Sequence, residues 1–188
     1  MLAATAGFNG LYFAHMTAYM SSVLHYDPRQ AVVSQTVGVI VHALGILVVG
    51  RLAGYIHPRT LLRVGAFTLA ALAFPFYAAL ANRSLSPTLL LVLAGVAASL
   101  VNGSFAVLLT DLFPTRIRFS GVALGFNVAF TIFSGTAPLV ATSLIRSSGL
   151  DTAPALLMVA CGLLTLAGSL GLSRSAGHVL KAGQASPG

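Results

Sequence analysis

Long apolar runs separated by short polar stretches recur along the chain. The runs cover roughly Leu2–Leu24, Ala31–Tyr55, Leu62–Ala81, Pro87–Leu109, Phe119–Ile145 and Ala153–Leu172. A helix needs about 20 residues, at about 1.5 Å rise each, to cross the hydrocarbon layer of a bilayer, and each run supplies them. The connections, HYDPRQ, HPRTLLR, NRSLSP, TDLFPTRIR and RSSGLDT, carry the turn formers and most of the charge. Pro58, Pro87, Pro114 and Pro154 lie in or beside these connections, where a helix start does not need the missing N–H. Pro75 and Pro138 lie inside runs and predict kinks. The pattern predicts an all-α membrane protein: a bundle of six transmembrane helices over residues 1–172, then a tail over residues 173–188. That tail is small and polar and reads as disordered.

Composition strengthens the membrane assignment. The chain is 57% hydrophobic and 7% charged, whereas a soluble domain carries about 25% charged residues. So few charges cannot cover a water-exposed surface, so most of the surroundings must be lipid. The net charge of +7 does not indicate nucleic acid, because the basic residues form no dense run and have no interleaved aromatics. It sorts topology instead. Arg51, Arg59, Arg63, Arg116, Arg118, Arg174 and Lys181 fall on one side, and Arg29, Arg83 and Arg146 on the other. The richer side is expected in the cytoplasm. This places both termini in the cytoplasm and the chain in a cell membrane, as a multi-pass protein. Cys161 lies alone in an apolar run and reads as a small packing residue. No basic stretch precedes the first run, so no signal peptide is expected. The chain opens almost inside a membrane segment, as a fragment of a longer protein would.

Polar residues inside the runs fall on helical faces. Tyr12, His15, Tyr19 and Ser22 share one face of the first helix. Gln35, Gly38, His42 and Gly45 share a face of the second, and Gly95, Ser99, Asn102 and Ala106 one of the fourth. On the fifth, Asn127, Thr131, Ser134 and Pro138 align. An unpaired amide or imidazole in hydrocarbon costs several kcal/mol, so these stripes must turn away from lipid. They either hydrogen-bond between helices or line a wet cavity that binds solute. His42 reads as a neutral histidine bonded between helices. His15, between two tyrosines, reads equally as such a residue or as a proton carrier. Gly121 and Gly125 form a small-xxx-small pair suited to close helix contact.

The acidic residues, Asp27, Asp111 and Asp151, all fall in connections, so no carboxylate pair is placed for acid–base work. No metal-ligand spacing, phosphate loop or dinucleotide fingerprint is present. An enzyme is not expected, nor any cofactor or metal.

The stretch from Asn102 to Ile145, NGSFAVLLTDLFPTRIRFSGVALGFNVAFTIFSGTAPLVATSLI, resembles the major facilitator superfamily, and within it the metabolite:proton symporter branch. In that branch an acidic-Leu-Phe-Pro-x-Arg-x-Arg-x-[Ser/Thr]-Gly segment joins the tenth and eleventh helices. Asp111, Phe113, Pro114, Arg116, Arg118, Ser120, Gly121, Gly125, Asn127, Gly135 and Pro138 match. GRLAGYIHPR is similar to the loop between the eighth and ninth helices, through Gly50, Leu52, Ala53 and Arg59. It departs where Gly54 replaces an aspartate, Tyr55 an arginine and His57 a glycine. FNGLYFAHMTAYM is similar to the seventh helix through Tyr19, with departures at Met16 and Ala18.

The resemblance implies the C-terminal half, helices seven to twelve, of a twelve-helix transporter. It implies proton-coupled symport, by alternating access, of a small polar metabolite such as an organic acid or a zwitterionic osmolyte. Tyr12, His15, Tyr19, Asn102, Asn127 and Thr131 would line the substrate cavity. Asp111, Arg116 and Arg118 would form a cytoplasmic gate or, more simply, anchor the helix ends. The implied partners are the lipid bilayer, a small solute and a proton, and the missing N-terminal half or a second copy. The rival class is a non-transporting membrane scaffold or assembly subunit.

Overall fold

The computed structural model describes residues 3–111 and 118–184, which form helical rods joined by short connections. In chain order these are α1 (residues 3–23), α2 (Pro28–Leu52), α3 (Pro58–Ala81), α4 (Pro87–Asp111), α5 (residues 118–148) and α6 (Pro154–Gln184). Pro58, Pro87 and Pro154 start α3, α4 and α6, as expected, and Pro28 starts α2; Pro114 lies outside the described residues. Asp27 caps α2, accepting a 3.4 Å hydrogen bond from the Arg29 amide.

Four rods have the length and apolarity of a membrane span among the described residues: α2, α3, Pro87–Phe105 of α4 and Phe119–Ser148 of α5. The chain is a multi-pass membrane protein on this basis. Six spans are expected, and the described residues show four; the other two rods differ from these. In α6 the described apolar stretch, Pro154–Leu170, is shorter than a span, although its helix continues to Gln184, past the expected boundary at Leu172. In α1 two π-helical segments, Gly10–His15 and Tyr19–Val23, interrupt the α-helix. A third, Phe130–Ser134, divides α5. Such π segments are rare and concentrate at functional sites.

Pro138 follows the α5 segment and, lacking an N–H, leaves the Ser134 carbonyl without its usual helical donor. That carbonyl faces Gly10 of α1, where a Cβ would come within 2.6 Å of it. Only glycine allows the two helices to cross this closely.

α4 is the centre of the bundle: it packs against α2 on one side and α3 on the other, and α3 packs against α6. Of each rod's most apolar window, 56% is buried in α4 but 11% in α5. α5 leans mainly on α1 and α6 and leaves most of its surface open. Leu44, Leu47, Val48, Phe67, Leu124 and Leu139 are large, apolar and exposed. That surface suits lipid as solvent and not water. Gly125 meets nothing within 4 Å, so within this chain it does not serve the expected close contact. Cys161 does pack as expected: it is buried against Gly7.

The connections after α1, α3 and α5 gather at one end of the bundle. Arg83 donates to the Leu24 and His25 carbonyls at 3.0 and 2.9 Å and lies 4.6 Å over the Tyr26 ring. The Tyr26 hydroxyl donates to the Leu80 carbonyl at 2.9 Å. Burial pushes the Tyr26 phenol up, against a smaller opposing pull from Arg83. Tyr19 reaches the third connection, donating to the Asp151 carbonyl at 2.6 Å. Arg29, Arg83 and Arg146, grouped by sequence on one side, all belong to this end of the bundle.

Candidate functional site

Two polar regions of the described bundle hold the residues singled out by the sequence. The first is buried where α1, α2 and α4 meet. Tyr12 lies on the inward face of α1, 1% exposed, and stacks on Phe8 at 4.6 Å. Its hydroxyl donates to the Leu91 carbonyl of α4 at 2.8 Å. It enters a slot between Gly38 of α2 and Gly95 of α4, and a Cβ on Gly38 would collide with it. Gln35, one turn before Gly38 on the same face, donates to the Tyr12 carbonyl at 2.5 Å. That carbonyl lies in the first π segment, where the α-helical donor is shifted by one residue and leaves room for a side chain.

Two turns along α2 from Gln35, His42 is held from two directions. Its Nδ1 is 2.9 Å from the Gly95 carbonyl and its Nε2 2.9 Å from Asn102 Nδ2, both on α4. A carbonyl only accepts, so Nδ1 carries the hydrogen, Nε2 accepts, and the Asn102 amide donates. His42 is therefore the interhelical bonded histidine that the sequence suggests.

His15 is also buried, but its Nε2 has no partner. It lies 5.8 Å from the Tyr19 ring, which makes an edge contact with Tyr77 at 5.6 Å. Gln35 Oε1 and Asn102 Oδ1 are likewise buried without partners. An orphaned acceptor or donor of this kind costs about 1–3 kcal/mol. Three of them on the inner faces of α1, α2 and α4 make this the polar interior of the bundle.

The second region is the stripe on α5. Asn127 and Thr131 are exposed, and the Asn127 amide turns back to the Ala123 carbonyl at 2.8 Å. The sequence-derived cavity set thus divides. Tyr12, His15, Tyr19 and Asn102 are buried within the chain's own packing, whereas Asn127 and Thr131 face outward from it. Arg116 lies outside the described residues, as do the side chains of Asp111 and Arg118. Sequence reasoning gave Gln35 only a stripe position, without the contact to the π segment. The α-to-π change has no signal in residue types.

A separate cavity of about 250 Å³ opens between α1, α3 and α4. It is lined almost wholly by apolar groups, among them Phe8, Leu69, Phe76, Leu90 and Met158. Tyr12 and Tyr77 also line it, and the Tyr12 hydroxyl is already bonded to the Leu91 carbonyl, so the cavity offers little to orient a hydrophilic solute. No group of His, Cys, Asp or Glu among the described residues could hold a metal ion.

The chain is similar to several named bacterial transporters. It is 27% identical over 172 residues to the proline/betaine transporter of Salmonella typhimurium, a match covering 89% of the chain and 33% of that protein. It is 32% identical over 109 residues to the citrate-proton symporter of Klebsiella pneumoniae, covering 53% of the chain and 24% of the relative. A shorter stretch of 48 residues is 46% identical to the ectoine/proline transporter ProP of Corynebacterium glutamicum, covering 26% and 10%. These relatives are major facilitator transporters, not enzymes, and the resemblance read from the sequence is to the same superfamily. The chain spans at most about a third of the length of these relatives. No family model matches the chain, and no solved structure matches it.

Proposed function

We propose that this chain forms the C-terminal six-helix half of a secondary transporter that moves a small polar metabolite by proton-coupled symport. The observation that carries this role is α5. It is long enough and apolar enough to cross a membrane, yet it buries little of itself and presents Asn127 and Thr131 on an exposed face. Polar groups at such a depth need a partner or water. A lumen shared with a second half supplies both, and solute would bind there.

In this scheme the rods move as a unit against the other half, opening the lumen to each side in turn. Asn127 and Thr131 contact solute directly. Tyr12 and Tyr19, bonded to backbone carbonyls, hold α1 against α4 and against the connection after α5. They serve the cavity wall from behind, and so does Asn102 through His42. Asp111, Arg116 and Arg118 act at the cytoplasmic ends of α4 and α5, and both termini lie in the cytoplasm of a bacterial inner membrane.

The named relatives suggest either a zwitterion or an organic acid as solute. The arginines of α2, α3 and α5 lie near the ends of those helices and none at the centre of a span, and the zwitterion is favoured for that reason. The chain also lacks a carboxylate within its spans, so coupling requires a carboxylate of the other half or the unpartnered His15. Alone, the chain is not expected to support coupled uptake.

Uptake by the complete parent protein tests the proposal. Asn127→Ala should lower uptake at unchanged abundance. Unchanged uptake in both Asn127→Ala and Thr131→Val would show that the α5 stripe does not line the solute path, and a parent protein with no uptake at all would favour the scaffold instead.

A further inference from the structure

We propose that His42 and Asn102 together form a proton-binding site whose two states differ by a rotation of the Asn102 amide. The site goes beyond the transport role above, which assigns coupling to other groups, and its test does not depend on that role.

The geometry supplies each part. His42 is 3% exposed and Asn102 7% exposed, so neither is free to exchange its partner for bulk water. In the neutral state Nδ1–H donates to the Gly95 carbonyl, and Nε2 accepts from Asn102 Nδ2. The other end of the same amide, Oδ1, is buried and has no partner. A satisfied histidine needs only one donor there. The amide offers a donor that is used and an acceptor that is idle.

Protonation would form an N–H bond at Nε2, the proton coming from water. The ring would then donate from both nitrogens. The Gly95 carbonyl already accepts one of these bonds. A half-turn about the Asn102 Cβ–Cγ bond brings Oδ1 to Nε2 to accept the other, and Nδ2 becomes the idle end. The ring keeps two hydrogen bonds in both states, and no backbone movement is required. A leucine or alanine at position 102 could satisfy neither state, and a serine could do so only at shorter reach.

The electrostatic surroundings are simple. From α1 the ring is faced by Phe8, Tyr12 and Phe13, at 5.5, 6.3 and 5.9 Å between centroids. Tyr12 is the titratable member, and its hydroxyl is directed to Leu91 instead. α4 presents Gly95 and Asn102, both neutral. Of the described residues that bond to His42 or meet its ring, none is charged. Aromatic faces accommodate an imidazolium by cation–π attraction. Phe13 is 44% exposed.

The test is NMR of the full chain in lipid nanodiscs, with 15N-labelled histidine and asparagine. Above the titration, His42 should show the Nδ1–H tautomer. On acidification between about pH 9 and 4, in the range where histidine titrates, it should become doubly protonated. The Asn102 side-chain amide signal should move with the same midpoint. In His42→Gln that amide should stop responding to pH, and in Asn102→Ser the His42 midpoint should shift, because the shorter side chain reaches Nε2 poorly. A His42 ring that keeps one tautomer throughout would overturn the proposal. So would an Asn102 amide that stays fixed while His42 titrates. His42→Gln keeps a hydrogen-bonding side chain, so its spectrum remains informative if Asn102→Ser does not fold.

Discussion

Tyr12 and Asn127 are polar side chains in neighbouring membrane helices, and the fold treats them oppositely. Tyr12 is enclosed, and its hydroxyl is spent on the backbone carbonyl of another helix. Asn127 is open, and its amide bonds only to its own helix. The difference separates two roles that one stripe pattern cannot distinguish. A polar group that fastens helices loses stability when it is removed. One that faces a lumen loses binding and costs the fold little.

The contrast can be broken most severely at Gly38. A valine there would put its Cβ onto the Tyr12 hydroxyl. We expect Gly38→Val to destabilise the bundle by about 1–3 kcal/mol, the usual range for overpacking, and more where the slot cannot widen. Thermal unfolding followed with a thiol-reactive dye reads this directly, because the single cysteine, Cys161, is buried.

The opposite arm is functional. Asn127→Ala combined with Thr131→Val should reduce uptake by the parent transporter about tenfold or more, equivalent to about 1.4 kcal/mol of lost solute binding. Uptake rates normalised to membrane abundance would check it.

A milder stability effect is expected for Tyr12→Phe, which keeps the ring stacked on Phe8 and removes the bond to Leu91. Interhelical hydrogen bonds in membranes average about 0.6 kcal/mol, with a maximum near 1.7. The same dye assay should show a loss within that range. The smallest effect should belong to Asn127→Ala, whose unfolding should stay within about 0.5 kcal/mol of the parent, as at an exposed position bonded only within its own helix. A larger loss would mean that Asn127 fastens the fold as Tyr12 does.

The sequence shows this contrast only in part. Helix positions follow from run length and from prolines at the connections, so Pro58, Pro87 and Pro154 start helices where the pattern puts turns. The face shared by Gln35, Gly38 and His42 is legible from helical periodicity alone, and the structure buries all three. The destination of the Tyr12 hydroxyl is not legible, because its acceptor is a main-chain carbonyl and every residue has one. Nor are the π segments, which depend on where Gln35 and Gly10 meet their neighbours. Asn127 and Tyr12 look alike in sequence because periodicity reports that a face is polar, not what covers it. The gate residues Asp111, Arg116 and Arg118 remain a matter of sequence pattern, since their side chains lie outside the described structure.

Solvent accessibility along α5 tests the central claim most directly. Single cysteines replace Tyr12, Asn127 or Ile132 in the parent protein, and membranes are treated with a membrane-impermeant, water-soluble thiol reagent. Ile132 is exposed and apolar and is not part of the stripe of Asn127 and Thr131. We predict labelling at Asn127→Cys and protection at both Ile132→Cys and Tyr12→Cys. Protection at Asn127→Cys together with labelling at Ile132→Cys would show that the polar stripe does not face a water-filled lumen, and would contradict the account.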